Sequence, residues 1–111
     1  MVIVSLPKVF QSKAIYGNKE PLKSFKLTVL FTGTISFFYG VSSSPINPPT
    51  TWFEVTGLVS GFEKLVTITG GGGEWLYYRI VLSPGAVLST AKDLYGRFTA
   101  PAIRIRDITS G

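Results

Sequence analysis

The chain has 111 residues and a formal net charge of +5, and it contains no histidine and no cysteine. Lacking both, it has neither the commonest general base nor the usual ligands of zinc, haem and iron–sulfur centres, so we predict no metal and no cofactor. The length predicts one domain over residues 1–111, and the 45% hydrophobic content predicts a real core. No segment approaches the roughly 18 apolar residues of a membrane span. The apolar start ends at Pro7, too early for a secretion signal.

Alternation of apolar and polar residues is the main local signal along the chain. It predicts a strand whose buried face consists of Phe25, Leu27, Val29 and Phe31. Further strand-like segments follow at residues 35–39, 51–56, 64–69, 75–82, 86–88, 94–98 and 101–108. Between them lie turn candidates at 32–34 and 83–85, and a loop with three prolines at 42–49.

Short strands separated by turns roughly every 8–12 residues are typical of an antiparallel β-sandwich, which we predict, with a small β-barrel as the second choice. The best helix candidate is a single turn at 89–94. Four consecutive glycines at 70–73 precede Glu74 and a strand. A phosphate-binding loop would require Gly-Lys-Ser/Thr and a helix there, so the glycines predict a flexible hairpin connection instead.

The sequence contains few of the residue combinations that catalysis requires. The six carboxylates are Glu20, Glu54, Glu63, Glu74, Asp93 and Asp107, and no spacing pairs any two of them as a glycosidase requires. The numerous serines and threonines have no histidine to activate them. We therefore predict that the protein is not an enzyme.

One strand is apolar or aromatic on both faces, which is unusual for a strand that meets water. Alternation places Trp75, Tyr77 and Arg79 on one face and Leu76, Tyr78 and Ile80 on the other. An exposed aromatic set could stack on sugar rings or on bases. Because solvated sheet faces usually carry polar residues, the pattern favours a protein partner.

The basic residues form two groups along the chain. Five lysines lie within residues 8–26, and the four arginines lie within residues 79–106. In the last segment, Arg104 and Arg106 alternate with Ile103 and Ile105. Such arginines protect an edge strand or pair with carboxylates of a neighbouring subunit. Charge alone names no partner, and the pattern does not favour nucleic acid.

Two segments, GEWLYYRIVL at 73–82 and YGRFTAPAIRI at 95–105, resemble small β-sandwich structural proteins of tailed bacteriophages, namely head-decoration, neck and fibre-attachment domains. The resemblance lies in general features, namely a compact chain with aromatic-rich β-strands and few catalytic residues. It therefore transfers no site residues. It implies a virion component, assembled in the host cytoplasm, that oligomerises and docks on a capsid or tail surface with other virion proteins.

Together these observations predict a non-enzymatic structural virion accessory protein that forms homo-oligomers. The predicted interface or ligand-binding residues are Trp52, Trp75, Tyr77, Arg97, Arg104 and Arg106. One alternative is a carbohydrate-binding module or lectin-like domain, in which the same aromatic residues stack on a glycan and Glu54 or Asp93 binds its hydroxyls. The other is a single-stranded nucleic-acid-binding barrel, whose affinity would fall steeply with salt.

Overall fold

A computed structural model describes residues 6–69, 75–89, 91–92, 98–100 and 102–110. In chain order the strands are β1 (Lys8–Gln11), β2 (Tyr16–Gly17), β3 (Leu22–Val29), β4 (Phe31–Thr32), β5 (Ile35–Ser42), β6 (Phe53–Val55), β7 (Lys64–Thr67), β8 (Trp75–Leu82), β9 (Val87–Leu88), β10 (Ala91–Lys92), β11 (Phe98–Ala100) and β12 (Ile103–Ser110). No helix in the described part of the chain is long and apolar enough to cross a bilayer.

Two antiparallel sheets carry most of these strands. Sheet I has the order β1-β8-β5-β6, with β2 pairing to β8 beyond the end of β1. Sheet II has the order β12-β3-β7. Two short ladders, β4 with β9 and β10 with β11, complete the pairing. Among the described residues none of the sheets closes into a barrel, and the predicted all-β antiparallel sandwich is confirmed.

The core lies between the inner faces of the two sheets. On β3 of sheet II, Phe25, Leu27 and Val29 are at most 1% exposed, as the alternation predicts. The inner face of sheet I contributes residues such as Phe37 and Ile80 to the same hydrophobic cluster. Burial of both inner faces is the main stabilising contribution in such a sandwich.

Tyr39 is a core residue that contacts both sheets. Its ring meets Phe25 of sheet II edge to face at 5.8 Å and stacks on Phe53 of β6 at 5.4 Å, both measured between centroids. The Tyr39 hydroxyl accepts a hydrogen bond from the Thr69 backbone N–H at 3.1 Å. Its polar end therefore stays satisfied at the rim while the ring is buried.

Both predicted turns are confirmed. Gly33, between β4 and β5, has a φ of 81°, and Gly85, between β8 and β9, has a φ of 84°. These left-handed conformations favour glycine. The helical turn predicted at 89–94 is wrong where the structure describes it, because Ala91–Lys92 pair as a strand with β11.

The prediction of a hairpin across the four glycines is also wrong. β7 pairs with β3 in sheet II, whereas β8 pairs with β1, β2 and β5 in sheet I. The segment 70–74, which lies outside the described residues, therefore connects the two sheets. The glycine run does not show which strands pair, because pairing is decided by the partners that β7 and β8 find elsewhere in the chain.

Candidate functional site

The alternation predicted for β8 is confirmed. Leu76 and Ile80 are fully buried in the core. On the outer face of sheet I, Trp75, Tyr77 and Arg79 lie opposite Ser42, Gly40 and Phe38 of β5. Residues directly opposite each other in antiparallel strands point to the same face. The outer face thus carries the aromatic and basic set expected from the sequence.

Tyr77 is nevertheless not a surface residue. It is 1% exposed, and it lines a pocket with Pro45, Ile46 and Pro48 of the proline-containing loop. Its hydroxyl donates a hydrogen bond to the Ser44 carbonyl oxygen at 2.7 Å. Because a buried ring cannot stack on a ligand, Tyr77 does not belong with the exposed aromatic residues predicted from the sequence.

The loop that covers Tyr77 is itself closely packed on sheet I. A Cβ atom at Gly40 would lie 2.5 Å from Pro49 Cγ and 3.0 Å from the Thr51 carbonyl oxygen. Only glycine allows this close approach between loop and sheet. The three prolines of the loop therefore cover the outer face of sheet I at this end.

Trp75 lies at the end of the same face and is half-buried. Its six-membered ring lies over Gly17 of β2, where a Cβ atom would come within 2.3 Å of Cζ3. Asn18 and Lys19 join these two residues around an open pocket of about 480 Å³. Trp75 therefore keeps an accessible edge beside two polar side chains.

Trp52 is half-buried immediately before β6. The neighbouring Glu54 is exposed and pairs with Phe38, so the Glu54 carboxylate does not face the core. Trp52 and Trp75 lie on strands or strand ends separated by β5. With Tyr77 buried between the loop and the sheet, the three aromatic residues do not form a single stacking platform.

Two of the three predicted arginines, Arg104 and Arg106, lie on the opposite side of the molecule, on sheet II. Arg104 and Arg106 occupy the outer face of β12, opposite Thr28 and Lys26 of β3. Both are exposed. Arg97 and Asp93 lie outside the described residues.

Arg106 already has an intramolecular partner. Its Nε donates to Glu63 Oε2 at 2.5 Å and its Nη2 donates to Glu63 Oε1 at 2.7 Å, a bidentate geometry. This hydrogen bonding holds the pKa of the Glu63 carboxyl below its ordinary value of 4.5. Nearby, Lys26 Nζ lies 3.1 Å from Asp107 Oδ2. Arg106 and Lys26 thus have carboxylate partners within the chain, which weakens both as attractors of anionic partners.

Among the exposed large apolar side chains of the described residues, six gather at two places that the sequence analysis did not select. We call them the β1 edge, comprising Leu6, Val9 and Phe10, and the β7 edge, comprising Leu65 of β7 together with Val59 and Phe62 of the loop that precedes it. In the β1 edge Val9 is 50% and Phe10 51% exposed, and in the β7 edge Phe62 is 70% and Leu65 61% exposed. The only sequence signal for β1 is the pair Val9-Phe10 between Pro7 and Ser12, too short for a period to be recognised.

No family model, curated protein or solved structure matches the chain. Within the described residues, no group of three or more Asp or Glu side chains is placed to hold a metal ion.

Proposed function

We propose that the protein is a non-enzymatic structural subunit that joins copies of itself and docks on a larger assembly. The observation that carries this proposal is the exposure of the β1 edge and the β7 edge. β1 lies at one margin of sheet I and β7 at one margin of sheet II. Among the described residues, each of these strands pairs on one side only, so apolar side chains such as Phe10 and Leu65 lie beside a row of free backbone groups that can recruit a further strand.

The particular setting proposed is a virion, with the protein as a decoration, neck or fibre-attachment subunit. This part of the proposal comes from the resemblance of residues 73–82 and 95–105 to tailed-phage β-sandwich proteins. Subunits of this kind act through burial of apolar surface and through repeated contacts, which need no catalytic group.

The experiment that tests self-assembly is the mass of the purified protein by light scattering across a concentration series. We expect the mass to rise above that of the 12.1 kDa chain as concentration increases. A mass that stays at the monomer value throughout would contradict self-assembly.

A carbohydrate-binding function is the second candidate, favoured by the pocket of Trp75, Gly17, Asn18 and Lys19. The pocket brings an indole ring together with an amide and an ammonium group, and these two polar groups can bond the hydroxyls of a sugar. Under this proposal Trp75→Ala abolishes retention on a glycan array, whereas Trp52→Ala, outside the pocket, leaves it unchanged. Loss of binding in both variants or in neither would count against this pocket.

A further inference from the structure

The backbone groups at the β1 edge point in a definite direction. The Ser12 N–H donates to the Tyr78 carbonyl at 2.9 Å, and the Ser83 N–H donates to the Thr34 carbonyl at 3.1 Å. Even-numbered residues of β8 therefore bond toward β1, and odd-numbered residues bond toward β5. Because Lys8↔Leu82 and Phe10↔Ile80 are paired in this register, Lys8 and Phe10 bond inward. Val9 and Gln11 present their N–H and C=O groups outward.

No described strand covers this edge. Among the described residues β1 pairs with β8 alone, and its four-residue register contains no bulge. Natural sheets usually protect such an edge with charge, proline or a bulge. Here Lys8 and Pro7 lie at one end only, whereas Val9 and Phe10 leave the middle of the strand apolar on both faces.

We propose that β1 pairs antiparallel with β1 of a second copy about a two-fold axis at Phe10, so that the two copies of sheet I become one continuous sheet. This inference rests on the proposed function, because it names the partner and register of one assembly surface. The outward groups of Val9 then bond to those of Gln11 in the other copy. Phe10 faces its own counterpart, in the position where opposed side chains approach most closely.

Two observations favour this register over the neighbouring one centred on Val9. With the axis at Val9, Pro7 would lie opposite Gln11, and the Gln11 carbonyl would lack a donor because proline has no N–H. The two Lys8 side chains would also be only two residues apart across the ladder, where like charges repel. With the axis at Phe10, Lys8 lies opposite Ser12 and the two lysines are four residues apart.

The size of this contact predicts its strength. A fully buried aromatic side chain removes about 150–250 Å² from water, and roughly half of Phe10 is still available for burial, since it is 51% exposed. A short strand pair therefore falls at or below the low end of the roughly 1,200–2,000 Å² typical of stable dimers. We expect a dimer that dissociates on dilution.

Single cysteines test the register, because the wild-type chain has none. Opposed residues of a non-hydrogen-bonded pair have Cα atoms about 4.5 Å apart, which a disulfide can bridge. We expect Phe10→Cys to form disulfide-linked dimers at least about tenfold faster than Val9→Cys, whose own counterpart would lie beyond the roughly 7 Å limit. Leu65→Cys, on the β7 edge and 61% exposed, measures the rate of random collision.

Gln11→Pro tests the pairing without removing an apolar side chain. It deletes an outward N–H and leaves the inward bonds of β1 intact, so we expect loss of self-association with a small change in melting temperature. If the wild type self-associates but Gln11→Pro does so equally, or Phe10→Cys crosslinks no faster than the controls, this inference is overturned while self-assembly stands. A wild type that is monomeric at every concentration overturns both.

Discussion

The Tyr77 hydroxyl donates a hydrogen bond to the Ser44 carbonyl at 2.7 Å, from a ring that is 1% exposed on the outer face of sheet I. This contact fixes the proline-containing loop over the end of the sheet. The alternation places Tyr77 on the outer face of the sheet, but the loop covers it. Tyr77 and the loop thus form a second buried region that is smaller than the core.

We expect Tyr77→Phe to lower the free energy of unfolding by about 1–2 kcal/mol, because the Ser44 carbonyl loses its donor in a partly buried site. Chemical denaturation measures this difference. Tyr16→Phe is the matched control, since Tyr16 lies at the surface and its change should be close to neutral. Equal effects for the two variants would contradict the role assigned to the Tyr77 hydroxyl.

The packing of Trp75 on Gly17 predicts strong coupling between the two positions. Gly17→Ala should destabilise the wild type by about 1–3 kcal/mol, because the new methyl group must displace the indole ring. In a Trp75→Ala background the same substitution should have almost no effect. A double-mutant cycle gives the coupling free energy, and additive effects would show that ring and backbone do not compete for this space.

The ion pair of Glu63 and Arg106 predicts a dependence of stability on pH. Because the pKa of Glu63 is lowered in the folded state, the carboxylate stabilises the fold above its unfolded-state pKa, and this contribution disappears as the pH falls through and below 4.5. The melting temperature of the wild type should therefore exceed that of Glu63→Gln at neutral pH, and the difference should close in acid. The effect should be small and should shrink in high salt, because both groups are exposed.

Glu20→Gln serves as the control for that titration, since Glu20 is an exposed residue outside the strands. The same measurement on Glu20→Gln shows how much of the Glu63→Gln effect comes merely from removing one negative charge at the surface. A Glu63→Gln difference that grows as the pH falls would contradict the direction assigned to the Glu63 pKa.

Backbone conformation makes Asp107 a special position in β12. Its φ is 51°, and the register with β3 shifts between Arg106 and Thr109. A β-branched residue is strongly disfavoured at positive φ, so Asp107→Val should destabilise the protein by about 1–3 kcal/mol. Arg104→Val, at an exposed position of the same strand, should be neutral or slightly stabilising because valine suits extended backbone. Similar values for both variants would contradict a backbone origin.

The long buried strands were predictable because their side chains report on burial. Phe25, Leu27 and Val29 alternate with polar residues, and the bounds of β8 follow directly from its apolar run. β1 was not predictable, since its four residues are all exposed and burial imposes no period on them. The burial of Tyr77 was not predictable for a different reason. It depends on the loop around Ser44, which lies 33 residues earlier in the sequence.

For the predicted surface residues, too, the sequence indicates the kind of contact but not the partner. Arg106 is recognisable as a residue that pairs with a carboxylate, but its partner Glu63 comes from a remote segment. Sequence alone therefore cannot separate an intramolecular pair from one between subunits. Periodicity reports which way a side chain points, whereas its partner is set by the tertiary fold.

The pairing of β1 with β8 has a consequence for synthesis of the protein. The first strand of sheet I finds its neighbour only when residues 75–82 are available, so β1 cannot be ordered in this sheet while the nascent chain is short. Long-range pairing of this kind slows folding. If β1 pairs with a second copy as proposed, the edge becomes available for that pairing only after most of the chain has left the ribosome.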